Sequence, residues 1–232
     1  MLARVFFLAS GLTYLCLGAW LGGPGTLMSW LGLSLFLIGV AYVLGDARLM
    51  GKRSDGSFSL LGLIVHAPFL WAAWIAWVLR RGRGEAAWNE VAPGLFVGRM
   101  SKHHELPPGT QWVIDLTCEL VPPREVRRLR YRCLPTLDGT APAHAAFWPL
   151  VSEIASAEGP VFIHCAAGHG RSATFAAAVL VARGIAADVD DAEALMRRNR
   201  PRISLVDSQR ALVRSNPHPD PLPKGEGDTN AT

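Results

Sequence analysis

A cysteine and an arginine separated by five residues lie at the two ends of a short loop in residues 164–172, which read HCAAGHGRS. The loop follows the apolar, partly β-branched run 161–164 and precedes the helix-compatible run 172–180. This pattern predicts a loop that joins the end of a strand to the start of a helix. Backbone amides in such a loop, together with the partial positive charge of the helix N-terminus, favour a bound anion. The predicted guest is a tetrahedral phosphate group.

The reactive and charged groups of the loop each have a use in phosphate chemistry. Cys165 is predicted to be the nucleophile, because the field that attracts an anion also stabilises a thiolate. Arg171 is predicted to hold two phosphate oxygens through its planar guanidinium group. Gly168 and Gly170 allow backbone angles and close approaches that a Cβ atom obstructs. The predicted reaction is transfer of a phosphoryl group to the cysteine.

The pattern His-Cys, five residues, Arg-Ser resembles the signature of the cysteine-based protein tyrosine phosphatase superfamily, and in particular its dual-specificity branch. The resemblance implies a general acid on an upstream loop. Asp138 lies 27 residues before Cys165, after a strand-like segment that ends at Pro135. Further similar stretches are residues 112–119 and residues 200–202 followed by Gln209. The resemblance covers residues 85–214, a little over half of the chain.

The resemblance also implies a role for each residue of the loop. Cys165 attacks phosphorus to give a cysteinyl-phosphate, while Asp138 protonates the leaving oxygen and then activates the water that releases phosphate. Arg171 and the loop amides bear the charge of the transition state. Ser172 donates a hydrogen bond to the leaving thiolate, and His164 orders the loop. The residues implied to surround the phosphate are Ala166, Ala167, Gly168, His169 and Gly170. No metal ion or other cofactor is implied.

Several polar residues also have an ordinary structural interpretation. An Asp before a Gly, as at Asp138, is common in turns, and His169 either contacts substrate or faces solvent. Cys118 resembles in position a cysteine that traps the oxidised nucleophile as a disulfide in this family, and Cys133 is the second candidate. For both cysteines the alternative is a small buried apolar side chain. Residues interpreted as salt-bridge, capping or helix-surface groups are Asp115, Glu119, Asp207 and Gln209.

Three stretches in the N-terminal part, residues 5–21, 26–44 and 60–79, are predominantly apolar and nearly free of charge. The length of each stretch is close to the roughly 20 apolar residues that are needed to cross a bilayer. We therefore predict three transmembrane helices, the first two joined as a hairpin by the Gly-Gly-Pro-Gly turn at 22–25. A cleaved signal peptide is a poor alternative for the first stretch, because only Arg4 precedes it and two further spans follow.

The orientation of these helices is left open by their flanking charges. The basic residues are Arg48, Lys52 and Arg53 before the third stretch, and Arg80, Arg81 and Arg83 after it. If all three stretches cross, the two clusters lie on opposite sides, and the preference for positive charge inside cannot satisfy both. Either the N-terminus is outside, or the third stretch, which contains His66 and Pro68, does not cross fully. A reactive thiol in a domain that needs no disulfide favours a cytoplasmic face.

The chain therefore divides into a membrane anchor at residues 1–84, a phosphatase-like domain at 85–214 and a tail at 215–232. The tail is rich in Pro and Gly and is predicted to be disordered. In the domain, strand-like runs interleave with helical runs, which predicts an α/β fold with a central, mostly parallel sheet flanked by helices. Its site is expected at the carboxyl ends of the strands. The net charge of +4 is modest, so no nucleic-acid partner is predicted.

Together these features predict a membrane-anchored hydrolase, a cysteine-dependent phosphatase that works at a lipid bilayer. Its substrate is either a protein phosphorylated on Tyr, Ser or Thr, or a phospholipid head group. The loop lacks the lysines that lipid phosphatases of the family often carry, whereas the anchor favours a lipid. One alternative is a rhodanese-like sulfurtransferase, which Asp138 and the pattern in residues 168–172 disfavour. The other is an inactive phospho-binding membrane module, which the intact Cys165 and Arg171 disfavour.

Overall fold

The computed structural model describes residues 2–81 and 84–216. It begins with three long helices: α1 (Leu2–Leu21), α2 (Thr26–Leu44) and α3 (Leu60–Arg80). By length and apolar composition, each of them is able to cross a membrane, and their bounds agree with the three predicted stretches. Two features predicted from the sequence lie outside the described residues: Arg83 of the basic cluster, and the tail from residue 217 onward.

Helices α1 and α2 form the predicted hairpin and pack closely along glycines that are spaced seven residues apart on each helix. A Cβ atom at Gly11 would lie 2.5 Å from the backbone nitrogen of Phe36. A Cβ atom at Gly32 would lie 2.6 Å from the backbone nitrogen of Leu15. Small residues therefore let the two backbones touch, which is a common way for helices to associate inside a membrane.

The rest of the described chain forms an α/β domain around a five-stranded sheet. The strands are β1 (Trp88–Ala92), β2 (Leu95–Arg99), β3 (Trp112–Thr117), β4 (Arg130–Thr136) and β5 (Val161–Cys165). Their order is β1-β2-β5-β3-β4, and every neighbouring pair is parallel except β1 with β2. Strand β5 is central and buried throughout, as expected for an apolar strand covered on both faces. The predicted α/β class with a mostly parallel sheet is confirmed.

Within the described residues, four helices pack around this sheet. They are α4 (His144–Ala155), α5 (Arg171–Ala182), α6 (Val189–Asn199) and α7 (Asp207–Arg214). Helix α5 starts directly after the loop that follows β5, and its residues 171–180 are all buried. The rings of Phe147 in α4 and Phe175 in α5 meet edge to face, with centroids 5.6 Å apart. The core therefore holds the strand and the helix on both sides of the predicted phosphate loop.

The segment between α2 and α3 joins the apolar helices to the domain through buried groups. Lys52 has no exposed side-chain surface. Its Nζ donates to three oxygens: Asp115 Oδ2 at 2.8 Å, Thr117 Oγ1 at 2.7 Å and Leu120 O at 2.7 Å. Burial alone lowers the pKa of this ammonium group, but the groups around it, first among them the Asp115 carboxylate, together outweigh burial, and the net pKa is raised. The linker is thus fixed to the end of β3 by a charged group with all its donors used.

Helix α3 is attached to the domain at both ends. Near its start, Gly62 packs against Gly51 of the fixed linker, and a Cβ atom at Gly62 would lie 2.9 Å from the Cα atom of Gly51. Near its end, Trp77 is buried in an apolar cluster with residues of the domain. Directly after the helix, Arg81 Nη2 lies 3.1 Å from Glu105 Oε1. The helix therefore runs along the domain rather than away from it.

Candidate active site

In the loop between β5 and α5, residues 165–171, the carbonyl groups of residues 167–169 point outward and are held there by hydrogen bonds. The contacts are Arg200 Nη2 to Ala167 O at 3.1 Å, Arg200 Nε to Gly168 O at 2.8 Å, and Ser204 N to His169 O at 3.3 Å. Arg200 is 1% exposed, so its guanidinium is a fixed part of the core. The C=O and the following N–H of a trans peptide point in opposite directions. The amides of residues 168–170 therefore point into the loop.

These inward amides form an anion-binding concavity. Among the described residues, the amides of His169 and Gly170 donate to no protein acceptor. Helix α5 starts at Arg171, and no side chain caps its N-terminus. The N–H groups in the first turn of a helix are unpaired and carry a partial positive charge. The backbone alone thus favours a phosphate at this position.

Gly168 is the one loop position where a side chain is excluded outright. Its φ angle is +80°, which only glycine adopts readily. A Cβ atom there would lie 2.3 Å from the carbonyl carbon of Gly98 and 2.7 Å from the nitrogen of Arg99, both on strand β2. The close approach of the loop to β2 is what gives the loop its curvature, so the glycine is a structural requirement of the site.

Cys165 lies at the start of the loop and is 3% exposed. Its Sγ accepts a hydrogen bond from Gly168 N at 3.1 Å and lies 3.4 Å from Ser172 Oγ. Hydrogen-bond donors at these positions stabilise a thiolate, which is the nucleophilic form. His164 is buried next to it, burial lowers the pKa of its imidazole, and its Nδ1 lies 3.8 Å from Asp115 Oδ1. The structure thus brings the predicted residues His164 and Ser172 beside the cysteine.

Arg171 is buried between acidic groups. Its Nη1 and Nη2 donate to the two carboxylate oxygens of Glu119 at 2.8 and 2.7 Å, and Nη1 also donates to Thr136 O at 2.9 Å. Burial alone lowers the pKa of Arg171, but the groups around it, first among them Glu119, together outweigh burial, and the net pKa lies well above the usual value. Among the described residues, Arg171 Nε is buried without a hydrogen-bond partner. The Nε–H of a rigidly held guanidinium therefore remains for an anion.

Asp138 lies on an exposed turn at the edge of the site. Its side chain is 79% exposed, and its Oδ1 lies 3.2 Å from Arg171 Nη2. Gly139 follows it with a φ angle of +69°, which makes the turn. The Tyr42 hydroxyl on α2 donates to the backbone carbonyl of Asp138 at 3.1 Å. The carboxylate is thus next to the arginine of the loop, on a turn that the apolar helix α2 contacts directly.

Polar side chains behind the loop and the turn support both. His169 Nε2 lies 2.6 Å from Glu85 Oε2, and the same oxygen lies 3.3 Å from Arg200 Nη2. The buried Gln209 of α7 donates from Nε2 to Thr140 O at 2.9 Å. His169 therefore has a carboxylate partner rather than facing solvent alone. Gln209 ties α7 to the segment that follows the acidic turn.

The two cysteines considered as redox partners of Cys165 differ in position. Cys118 is buried just after β3, its Sγ lies 3.4 Å from Glu119 Oε2, and it borders the cavity above the loop. Cys133 is buried in β4, its Sγ lies 4.0 Å from Thr117 O, and it borders a different cavity. Burial raises the pKa of both thiols, in Cys133 to about 12. Cys118, Cys133 and Cys165 are all free thiols in this structure. Of the two candidates, Cys118 has the more suitable position for pairing with Cys165, because it borders the cavity above the loop.

Sequence reasoning left out two residues that the structure brings to the site, Glu119 and Arg200, and it also left out the pairing of Lys52 with Asp115. A signal for Glu119 was present, because it follows the carboxyl end of β3, the neighbour of β5, and such ends meet at one edge of a sheet. Arg200 and Lys52 carry no local signal. Arg200 contacts the loop from the end of α6, and Lys52 contacts Asp115 from the linker, so both pairings depend on the tertiary fold.

Residues 106–216 match the family described as "Swiss Army Knife protein, DSP-PTPase phosphatase domain". This part of the chain belongs to the cysteine-based protein tyrosine phosphatase superfamily, in its dual-specificity branch. The predicted family resemblance is confirmed. No curated protein matches the chain significantly in sequence.

Solved structures share the fold of the α/β domain. Human DUSP28 is 16% identical with a TM-score of 0.50, and the match covers 56% of this chain and 93% of that one. The human tyrosine phosphatase-like serine/threonine/tyrosine-interacting protein is 23% identical with a TM-score of 0.49, covering 56% and 95%. PTPMT1, solved in complex with PI(5)P, is 20% identical with a TM-score of 0.47, covering 55% and 92%. At these identities the match to DUSP28 establishes a common fold and nothing finer.

Proposed function

We propose that this protein is a membrane-anchored phosphatase that hydrolyses phosphate monoesters through a cysteinyl-phosphate intermediate on Cys165. The observation that carries the proposal is the loop, in which the thiol, the inward amides of residues 168–170 and the buried Arg171 surround one concave space. The family of residues 106–216 supports the same activity. The proposed substrates are phosphorylated proteins or phospholipid head groups.

In the first step the Cys165 thiolate attacks phosphorus. An S–P bond forms, the ester P–O bond breaks, and the leaving oxygen takes a proton from Asp138. The amides of His169 and Gly170 and Arg171 Nε hold the non-bridging oxygens and bear the charge that develops on them. Glu119 is a positioning residue, because its two hydrogen bonds fix the plane of the guanidinium.

In the second step a water molecule attacks the phosphorus of the intermediate. Asp138 accepts the proton of the water, the S–P bond breaks, and the electron pair returns to sulfur. Ser172 Oγ, 3.4 Å from Sγ, stabilises the departing thiolate. The products are an alcohol and inorganic phosphate, and the enzyme returns to its starting state. Ala166, Ala167 and His169 border the cavity at the mouth of the loop.

We further propose that the α1–α2 hairpin crosses the bilayer while α3 stays on the side of the α/β domain. The attachment of α3 at both ends supports this course: Gly62 packs on the linker, and Arg81 pairs with Glu105. The basic clusters around Arg48 and Arg80 then lie on one side of the membrane, as the preference for positive charge inside requires. A reactive thiol favours the cytoplasm for that side.

The activity test is turnover of para-nitrophenyl phosphate by the purified full chain in detergent. We expect turnover that resists chelators, is inhibited by vanadate and is abolished by Cys165→Ser. The matched control is Cys16→Ser, which changes an exposed cysteine of α1, and we expect it to retain activity. Turnover that survives Cys165→Ser would overturn the proposal. Phosphate binding without any turnover would instead define an inactive binding module.

The topology test introduces one cysteine at a time, in a chain whose Cys16, Cys118, Cys133 and Cys165 are all changed to Ser, and labels it with a membrane-impermeant maleimide. Asp55→Cys lies in the linker, Glu125→Cys on the exposed surface of the domain, and Gly23→Cys at the tip of the hairpin. We expect Asp55→Cys and Glu125→Cys to be labelled from the same face and Gly23→Cys from the opposite face. Labelling of the first two from opposite faces would show that α3 crosses the bilayer.

A further inference from the structure

A single cavity joins the phosphate loop to the space between the three apolar helices. Its volume is about 810 Å³, within the range of about 300–1,000 Å³ of pockets that hold small molecules. At one end it is bordered by Ala166, His169 and Arg171 of the loop. At the other end it is bordered by apolar side chains from all three helices, among them Phe7 of α1, Ile38 of α2, and Phe69 and Ala73 of α3. The site for phosphate is thus continuous with an apolar space.

The change from charged to apolar lining takes place between adjacent residues. Glu119 contacts Arg171, and Cys118 before it belongs to an apolar cluster with side chains of α2, α3 and the linker. Asp138 also lies beside Arg171, and Leu137 before it belongs to the same cluster. The Tyr42 hydroxyl also lies at this boundary, where it donates to the backbone carbonyl of Asp138. A molecule that fills the cavity therefore carries its phosphate within a few bonds of an apolar body.

The apolar wall suits acyl chains and does not suit a peptide. A phosphopeptide brings backbone N–H and C=O groups, and each of them costs free energy when it is buried without a partner. Phe7, Ile38, Phe69 and Ala73 offer no polar side-chain atoms, and the backbone groups of a helix interior are already paired within the helix. Acyl chains need no hydrogen-bond partner, and their burial here is favourable.

The helices that line the cavity also present apolar surface beside it. Phe6 is 63% exposed next to the cavity residue Phe7, and Trp71 and Trp74 are 66% and 50% exposed on either side of Ala73. Exposed apolar surface of this extent marks contact with a membrane or a partner, and Trp is enriched where lipid meets water. In the anchored protein, a lipid is able to reach the cavity without leaving the bilayer.

Positive charge is concentrated at the polar end of the cavity. The arginines there are Arg80, Arg81, Arg99, Arg171, Arg200 and Arg202, and the acidic residues are Glu85, Glu119 and Asp138. The loop itself contributes only Arg171 to this set. Glu105 lies outside this lining and pairs with Arg81 and Arg99, so the arginines outnumber the acidic groups by two. A phosphate monoester carries a charge of about −1.5 to −2 at neutral pH, which this surplus matches. The positive charge comes from the helix end and the walls, rather than from lysines in the loop.

We infer that the substrate is a phosphate monoester carried by a bilayer lipid, with the phosphate in the loop and the acyl chains in the cavity between α1, α2 and α3. The inference rests on the proposed function, since it names the substrate class of the same site. It assigns to the membrane helices a part in substrate binding in addition to anchoring.

The test compares turnover of phosphatidic acid in phosphatidylcholine vesicles with turnover of para-nitrophenyl phosphate, both by the full chain. Ala73→Phe adds a ring inside the cavity, and Ala72→Phe adds the same ring at the neighbouring exposed position, outside the cavity lining. We expect the ratio of kcat/KM for the lipid to that for the aryl phosphate to fall about tenfold or more in Ala73→Phe, because the ring takes the space of the acyl chains. We expect the ratio to be unchanged in Ala72→Phe.

An unchanged ratio in Ala73→Phe would overturn the inference. The inference would also be overturned if phosphotyrosyl or phosphoseryl peptides were turned over faster than phosphatidic acid, phosphatidylglycerophosphate and phosphoinositides. If the aryl phosphate were turned over as well in that case, the proposed function would still stand. Loss of turnover on every substrate would overturn the proposed function itself. Binding is then decided by the Cys165→Ser chain and phosphatidic acid with a photoreactive acyl chain. Cross-links at Phe7, Ile38 and Phe69 are expected, and cross-links confined to Phe6 and Trp74 would contradict the inference.

Discussion

Replacing Lys52 with methionine is expected to weaken the attachment of the three apolar helices to the α/β domain. Lys52 Nζ and Asp115 Oδ2 are 2.8 Å apart, and neither side chain is exposed. Methionine keeps most of the apolar length of lysine and removes its charge and its donors. Asp115 then retains a buried carboxylate with only Thr117 and Tyr131 as side-chain donors.

The expected loss follows from the burial of the pair. Removing one partner of a buried ion pair costs about 3–5 kcal/mol of unfolding free energy, because the other charge is left uncompensated. The hydrogen bonds from Lys52 Nζ to Thr117 Oγ1 and Leu120 O are lost in the same change. For a chain of this size, a loss of this magnitude lowers Tm by about 10 °C.

The loss also depends on pH in a defined way. Burial alone opposes both charges, but their mutual attraction raises the pKa of Lys52 and lowers the pKa of Asp115. Lys52 contributes stability that is fully present below the unfolded lysine pKa of about 10.4 and is lost as pH rises through the folded pKa. Asp115 contributes stability that is present above the unfolded pKa of about 3.9 and is lost as pH falls through the folded pKa. The difference from wild type is therefore largest between about pH 4 and pH 10.

The measurement is thermal unfolding of the full chain in detergent, followed by tryptophan fluorescence. Arg53→Met is the matched control, because Arg53 is the exposed neighbour of Lys52, and it is expected to change stability by less than about 0.5 kcal/mol. The double variant with Lys52→Met and Asp115→Asn is expected to lose less than the sum of the two single variants. Equal Tm values for Lys52→Met and Arg53→Met would refute the buried pair as the link between helices and domain.

Four further variants test the site. Glu119→Gln is expected to lower kcat/KM about a hundredfold, because Arg171 is no longer held in place. The control variant Glu125→Gln, at an exposed position, is expected to leave kcat/KM unchanged. Equal kcat/KM values for the two variants would show that Glu119 does not position Arg171. Asp138→Asn is expected to slow the turnover of alkyl phosphates by about 10²–10⁴-fold. It is expected to slow the turnover of aryl phosphates less, since their leaving groups need less protonation. Asp207→Asn is the control, and equal losses on both substrates would argue against Asp138 as the general acid. Gly168→Ala, whose Cβ would meet the backbone of β2, is expected to abolish turnover. Gly109 also has a positive φ angle, but a Cβ atom there would meet only Pro160 at 3.8 Å. The control variant Gly109→Ala is therefore expected to retain turnover. After peroxide treatment, thiols are expected to restore activity in wild type and Cys133→Ser but not in Cys118→Ser, and full recovery in Cys118→Ser would exclude it as the partner.

The strands that carry the site were predictable because their signal is local. Trp112–Thr117 and Val161–Cys165 are short apolar runs with β-branched residues, which is the pattern of buried strands. Strand β1 at Trp88–Ala92 has no such local signal, because an edge strand is half exposed and its mixed Trp-Asn-Glu-Val-Ala sequence has no clear alternation. The loop between β5 and α5 was predictable from residue types alone, since its glycines, cysteine and arginine each meet a local requirement.

The parts of the site that were not predictable depend on contacts between distant segments. Glu119 and Arg171 are 52 residues apart, and Lys52 and Asp115 are 63 residues apart. A buried charge needs a partner, but the sequence does not show which residue provides it. The apolar run of α3 likewise predicts a helix of the right length, whereas its course along the domain is decided by the fixed linker before it and the Arg81 pair after it.

The most direct test of the proposed chemistry is detection of the phosphoryl group on Cys165 during turnover. Rapid quenching of the full chain with substrate, followed by digestion and mass spectrometry, reports which peptide carries a phosphoryl adduct. The account predicts an adduct on the peptide that contains Cys165, present in wild type and absent from Cys165→Ser. Sustained turnover with no adduct on that cysteine, or with an adduct on Ser172 instead, would contradict it.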